Sequence, residues 1–321
     1  MNRTDTKPRG ALRRRLAKAF PFVLLAIVAV ALFRYAGSVD WPSVGEALKG
    51  YPATRLWSAA GLAVASYLLY CGYDLAARRY AGHALSTPRV LTAAFVSYAL
   101  NLNLGALIGG VGFRFRMYLR AGIGAGVIAR IVAFSIVANW LGYTALAGLL
   151  LVLAPEPLAG AAGLRASYLT AGGVAALVLV ATYLLACAGL RGRVLRIRGH
   201  EYRLPSPALA LLQLALSSLN WLTIATILFM LLGREVAYPV VLGALLAGAV
   251  FAALVHIPAG LGALEAAFFA LLGNHAEQSQ LIAALLVYRA IYYIAPLLLA
   301  ILVYLGLEAR GMERHGHRDS T

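Results

Sequence analysis

The sequence predicts an all-α, polytopic integral membrane protein with six full spans and two re-entrant helical hairpins arranged as an inverted repeat. Three observations carry that expectation. Of 321 residues, 62% are hydrophobic and only 12% charged. Apolar stretches of about 20 residues, the length that crosses roughly 30 Å of hydrocarbon, recur along the chain. The basic residues gather in short segments between those stretches, where they set orientation. The formal net charge of +16 would point to nucleic acid in a soluble protein. Here it is a topology signal, and nucleic acid is set aside as a partner.

Residues 1–19 form a basic segment; its first 18 residues hold seven basic side chains and one acid. The apolar run 20–36 follows, broken near its end by Arg34 and Tyr35 and closed by no small-x-small cleavage site, so it reads as an uncleaved first span with a cytoplasmic N-terminus. Further apolar segments cover 56–77, 90–112, 127–154, 166–189, 206–232, 238–273 and 281–306. The transmembrane domain is thus expected over 20–306, with a polar cytoplasmic tail over 307–321. Cys71 and Cys187 both lie inside apolar segments and support neither a disulfide framework nor a metal site.

The loops then decide which segments cross. Residues 78–89 and 113–130 flank the third segment, and both are basic without an acid, so both belong to the cytoplasm. Segment 90–112 therefore enters and leaves on one side, and its interior, NLNLGALIGGVG, has the polar residues and glycines of a turn. Loop 190–205 is also basic, whereas 37–55, 155–165, 233–237 and 274–280 are mixed in charge and fit the outside. Segment 238–273 then starts and ends outside, and HIPAGLGALE (256–265) is its turning point. Each half of the chain runs span, span, hairpin, span, from opposite faces. Inverted repeats whose broken helices meet near the midplane point to a transporter binding site, because irregular backbone at that depth must be buried or line a wet cavity.

Asp74 and Glu265 are the two acids inside apolar segments, where charge is costly and usually functional. Packing against a nearby arginine is the alternative; for Asp74 that neighbour is Arg78. Arg114 and Arg116 border the first hairpin's break and Arg289 lies inside the last span. Guanidinium suits phosphate, since its planar fork donates two parallel hydrogen bonds; snorkelling competes with that role, and Arg120 is assigned to orientation alone. Asn101, Asn103 and His256 are placed as supporting groups that satisfy backbone freed by the turns. Tyr288, Tyr292 and Tyr293 are read as interface or packing aromatics. No phosphate loop, HExxH, GxSxG or acidic metal cluster occurs, so neither an enzyme nor a cofactor is expected.

Four ordered blocks, GYDLAARRYAG, SYALNLNLGALIGGVGFRFRMYLRAGI, HIPAGLGALE and YRAIYYIAPLLLA, resemble the flippase-like transmembrane domain of the bacterial lysylphosphatidylglycerol synthases (multiple peptide resistance factor proteins) and related stand-alone membrane proteins. The resemblance covers most of the chain. It implies an inner-membrane protein that moves phospholipid, aminoacylated or anionic and of the phosphatidylglycerol type, between leaflets, with Asp74, Arg114, Arg116, Glu265 and Arg289 as its functional set. About fifteen residues follow the last span, so aminoacyl transfer is not expected of this chain. The alternative is a non-transporting partner of a separate lipid synthase or glycosyltransferase; assembly into a homo-oligomer stays open.

Overall fold

The computed structural model describes residues 49–190, 194–197, 200–234, 236–255, 262–273 and 278–316, together with 42 and 46. The chain divides into two compact units, Met1–Glu46 and Ala47–Thr321, and the second holds nearly all of the described residues. The expected first span, 20–36, lies outside the described residues, as do residues 256–261 of the expected turning point 256–265.

The second unit is helical. Its elements are α1 Ala53–Ala81, α2 Thr87–Leu104, a π-helical turn Ala106–Gly112, α3 Phe113–Arg120, α4 Ala125–Leu153, α5 Pro155–Ala162, α6 Ala166–Gly189, α7 Pro207–Leu231, α8 Tyr238–Val255, α9 Ala263–Leu272, α10 Gln278–Arg289, a second π-helical segment Ala290–Ile294, and α11 Ala295–Gly316. Among the described residues, five helices are long and apolar enough to cross a membrane: Ala53–Ala81, Ala125–Leu153, Ala166–Gly189, Pro207–Leu231 and the continuous run Gln280–Ala309. They coincide with five of the six expected spans. The protein is an all-α polytopic membrane protein.

Loop 190–205 departs from the helical expectation. It contains an antiparallel β-hairpin, β1 Val194–Ile197 with β2 His200–Arg203, in the register Val194 opposite Arg203. The Tyr80 hydroxyl donates to the Arg203 carbonyl at 2.5 Å and ties it to α1.

Both expected hairpins fold back. Helix α2 starts with Pro88 near its N-terminus, where a missing N–H costs nothing, and stops at Gly105. There φ 84° and ψ 167° require glycine. The π-helical turn and α3 return along α2, so that Tyr118 near the end of α3 packs into one cluster with Val90 and Ala93 near the start of α2. The return is close: a Cβ on Gly109 would overlap the Leu100 carbonyl oxygen. In the second hairpin Gly248 of α8 lies against Leu264 of α9, whose Cα would be 3.0 Å from an added Cβ. Sixteen residues of unbroken helix would separate the two by about 24 Å, so the chain has turned back between them.

Small residues bring the long helices together, as in membrane interiors generally. Gly142 of α4 faces Ser217 of α7, and Gly148 of α4 faces Gly173 of α6, both too close for an added Cβ.

Candidate functional site

The folding-back of the first hairpin creates the central polar contact. Arg114 opens the α3 return and lands against Asp74 on α1, with Nε 3.3 Å from Oδ2. Asp74 is fully buried and also accepts from the Tyr118 hydroxyl of α3 and the Ser135 hydroxyl of α4, each at 3.0 Å. Polar groups from α3 and α4 thus meet at one carboxylate of α1, which offsets the cost of burying it. Arg78, the expected neighbour, is engaged elsewhere: its Nη1 donates to the Leu85 carbonyl at 3.1 Å and to the Thr87 hydroxyl at 3.0 Å, closing the turn before α2.

A second pair is held by the second hairpin. Glu265, in the first turn of α9, receives Arg289 through both oxygens, Nε to Oε1 at 2.6 Å and Nη2 to Oε2 at 2.9 Å. This parallel fork is the strongest form of such a pair. The Gly262 N–H also donates to Glu265 at 2.9 Å, completing a cap on α9. Arg289 is 3% exposed and ends α10 where the π-helical segment begins.

The remaining candidates separate. Arg116 donates to Glu308 of α11 at 3.1 Å, and Arg120 and the Tyr304 hydroxyl converge on the same carboxylate. They join the returning arm of the first hairpin to the last helix. Asn103 donates to the Ala99 carbonyl at 2.8 Å and the Tyr293 carbonyl at 3.3 Å, bridging the first hairpin to the π-helical segment. Asn101 borders a cavity. His256 lies outside the described residues.

The cavity has a volume of about 350 Å³ and lies between the two hairpins and the long helices α1, α4 and α7. Its border mixes polar residues, Arg114, Asn101, Ser135, Asn139 and Asn220 among them, with apolar ones such as Ile136, Trp140, Trp221 and Ala253. Ile136 and Trp140 are 49% and 41% exposed, so the apolar wall runs out onto the outer surface of α4. Arg114 is 3% exposed, and its Nη2 is buried without a hydrogen-bond partner. Asp74, Glu265 and Arg289 do not border the cavity.

Sequence reasoning missed most of the aromatic wall. Tyr288 and Tyr292 are 2% and 1% exposed and belong to the core, not to a membrane interface. Tyr98 and Tyr292 are linked hydroxyl to hydroxyl at 2.9 Å, Tyr292 reaches Ser66 at 2.6 Å, and Ser66 donates to Asn220 at 2.6 Å. The signal that could have found them was a set of polar side chains inside otherwise apolar spans, Ser66 and Asn220 among them. Among the described residues, no group of three His, Cys, Asp or Glu side chains could hold a metal ion.

The family model described as "Lysylphosphatidylglycerol synthase TM region" matches residues 22–300. The chain is 43% identical over 311 residues to a protein of Escherichia coli (strain K12) named Inner membrane protein YbhN, covering 96% of this chain and 98% of that one. It is 30% identical over 265 residues, 80% of each chain, to Uncharacterized protein slr0712 of Synechocystis sp. (strain ATCC 27184 / PCC 6803 / Kazusa).

Proposed function

This chain belongs to the family of the lysylphosphatidylglycerol synthase transmembrane region, and from that premise we propose that it is an inner-membrane lipid translocator with no covalent step of its own. The supporting observation is the mixed border of the cavity. Arg114, whose buried guanidinium keeps an unpartnered donor, lines it together with the apolar side chains Ile136 and Trp140, which are exposed on α4. An amphiphile fits such a shape. The headgroup phosphate accepts from Arg114, a charge-assisted contact roughly twice as strong as a neutral one, while the acyl chains remain outside along α4.

The other charged residues position this site. Asp74 holds the Arg114 guanidinium from behind through Nε. Glu265 and Arg289 fasten the second hairpin to the last membrane-crossing run. Arg116 and Arg120 close one end of the first hairpin against Glu308.

The test is leaflet exchange of labelled phosphatidylglycerol in liposomes holding the purified chain and no partner. Exchange above protein-free liposomes is expected. Arg114→Ala should slow it at least about tenfold, the equivalent of one charge-assisted hydrogen bond, while Arg165→Ala at an exposed loop position should leave it unchanged. Absence of exchange by the parent protein, or equal rates in both variants, overturns the assignment and leaves the partner-scaffold role.

A further inference from the structure

Resting on the reading of the cavity as a headgroup site, we propose that it selects a phosphate ester with a neutral, hydroxyl-bearing headgroup and discriminates against headgroups carrying an amine. The juxtaposition that carries this is the charge and ring arrangement of the cavity wall. Among the described residues that border it, Arg114 is the only charged side chain. Among the described residues no carboxylate borders it: Asp74 is fully buried with both oxygens engaged, and Glu265 is occupied by Arg289 and the Gly262 N–H. An ammonium entering this space would lose hydration and meet the Arg114 guanidinium with no bordering carboxylate to offset it, a penalty in a medium of low dielectric.

Aromatic faces are the other means of holding a cation, and several tyrosines here carry a neighbour on one face. Tyr70 stacks on Tyr98 with centroids 3.5 Å apart and planes 12° from parallel. Tyr288 stacks on Tyr292 at 5.3 Å. The Arg289 guanidinium lies 5.3 Å from the Tyr293 ring centre. Trp140 and Trp221 also border the cavity, but cation–π attraction is smaller than the desolvation of an ammonium.

The remaining polar border suits hydroxyls. Asn101, Asn139 and Asn220 are carboxamides, each able to donate and accept, and apart from Arg114 and Ser135 the described wall around them is aromatic, aliphatic or glycine. Glycerol or another polyol can exchange hydrogen bonds with such groups without a change of charge. A phosphate on Arg114 followed by a polyol along the asparagines is the ligand chemistry that this border matches.

Binding, measured separately from translocation, tests the selection. Trp140 and Trp221 border the cavity, so their fluorescence reports occupancy when the full chain in detergent is titrated with short-chain phosphatidylglycerol, its lysyl ester, or phosphatidylethanolamine. Phosphatidylglycerol should bind at least tenfold more tightly than either amine-bearing lipid, and Trp221→Phe should reduce the signal. Arg114→Lys, which keeps the charge and loses the planar fork, should weaken phosphatidylglycerol without improving the lysyl ester. Glycerol phosphate without acyl chains should compete only weakly, which identifies a lipid as the source of the phosphate. Equal or tighter binding of the lysyl ester, or binding of none of the three lipids, overturns the selection. Glycerol phosphate competing as well as the lipid overturns the lipid source. Selective binding without leaflet exchange would instead remove the translocator reading and leave the headgroup preference standing.

Discussion

Asp74 and Arg114 meet across the first hairpin with Nε 3.3 Å from Oδ2, and the carboxylate is wholly enclosed while the guanidinium borders the cavity. The pair is asymmetric: Asp74 has two further donors in Tyr118 and Ser135, whereas Arg114 Nη2 has no hydrogen-bond partner. Structure is thus concentrated on the acid and ligand capacity on the base.

That asymmetry sets the first prediction. Asp74→Asn leaves a buried guanidinium uncompensated and should destabilise the protein by about 3–5 kcal/mol. The double variant Asp74→Asn with Arg114→Gln should be less stable than the parent yet clearly more stable than the sum of the single changes requires, as coupled partners are. Unfolding in detergent of the four proteins measures the coupling; strict additivity would show that the pair does not act as one.

Membrane orientation gives the second. Tyr118 packs beside Val90 and Ala93, so both ends of the first hairpin lie at one end of the second unit. Single cysteines near Arg89 and Arg120, introduced in a protein lacking Cys71 and Cys187, should both resist an impermeant thiol reagent in intact cells. Labelling of just one would require a full crossing between them.

The Glu265–Arg289 fork gives the third. Arg289→Lys retains charge but cannot donate two parallel bonds to one carboxylate, and Glu265→Gln keeps shape without charge. Each should lower the unfolding midpoint and slow lipid exchange, with Arg289→Lys unable to restore the parent rate at any pH. A lysine variant that behaves as the parent would reduce the fork to a simple charge contact.

Backbone proximity gives the fourth. Gly109→Ala would drive a Cβ into a carbonyl oxygen of α2 and should prevent the return of the first hairpin, whereas Gly126→Ala meets open space and should gain up to about 1 kcal/mol of helix propensity. Yield of folded protein and unfolding midpoints compare the two directly.

The turn between α1 and α2 gives the fifth, in pH. His83 Nδ1 accepts from the Leu85 N–H at 3.3 Å. Partial burial, and secondarily Arg78, hold its imidazole below the usual range. A depressed histidine is more readily protonated when unfolded, so its stabilising contribution is complete above the ordinary value of about 6.5 and is lost as pH falls from there through the lower value of the folded protein. Unfolding midpoints measured from about pH 8 to about pH 5, which brackets imidazole titration, should fall less in His83→Asn than in the parent. Parallel curves would remove the histidine from the pH response.

Much of the architecture was legible because hydrocarbon thickness imposes a length on each crossing. The expected segment 56–77 became Ala53–Ala81, and 127–154 became Ala125–Leu153. Both hairpins were legible for a different reason, since flanks of one kind, basic around the first and mixed in charge around the second, and glycine-containing interiors leave few alternatives. Side-chain partnerships were legible only in part. Asp74 reads as a neighbour of Arg78 along its own helix, but the closer cation is Arg114, brought there by a reversal at Gly105 that local spacing does not encode. Arg116 lies as near the break as Arg114, yet it joins Glu308 because helical positions two apart face different directions. The four-residue strands of the β-hairpin are too short for a readable alternation, and the tyrosines of the π-helical segment resemble interfacial aromatics until their burial is known.

The hydroxyl chain from Tyr98 through Tyr292 and Ser66 to Asn220 joins α2, the π-helical segment, α1 and α7. Its kinematic consequence is that these elements share few independent degrees of freedom: sliding one past another strands a hydroxyl in a dry interior. Rearrangements of lower free energy carry the group as a single body and concentrate displacement at its borders. The described parts of the second hairpin contribute no hydroxyl to this chain and are tied to it at α9 by the Glu265–Arg289 fork, which is the border where displacement would concentrate. Site-specific distance measurements should find narrow distributions within the linked group, and distributions between it and α9 that broaden in Glu265→Gln.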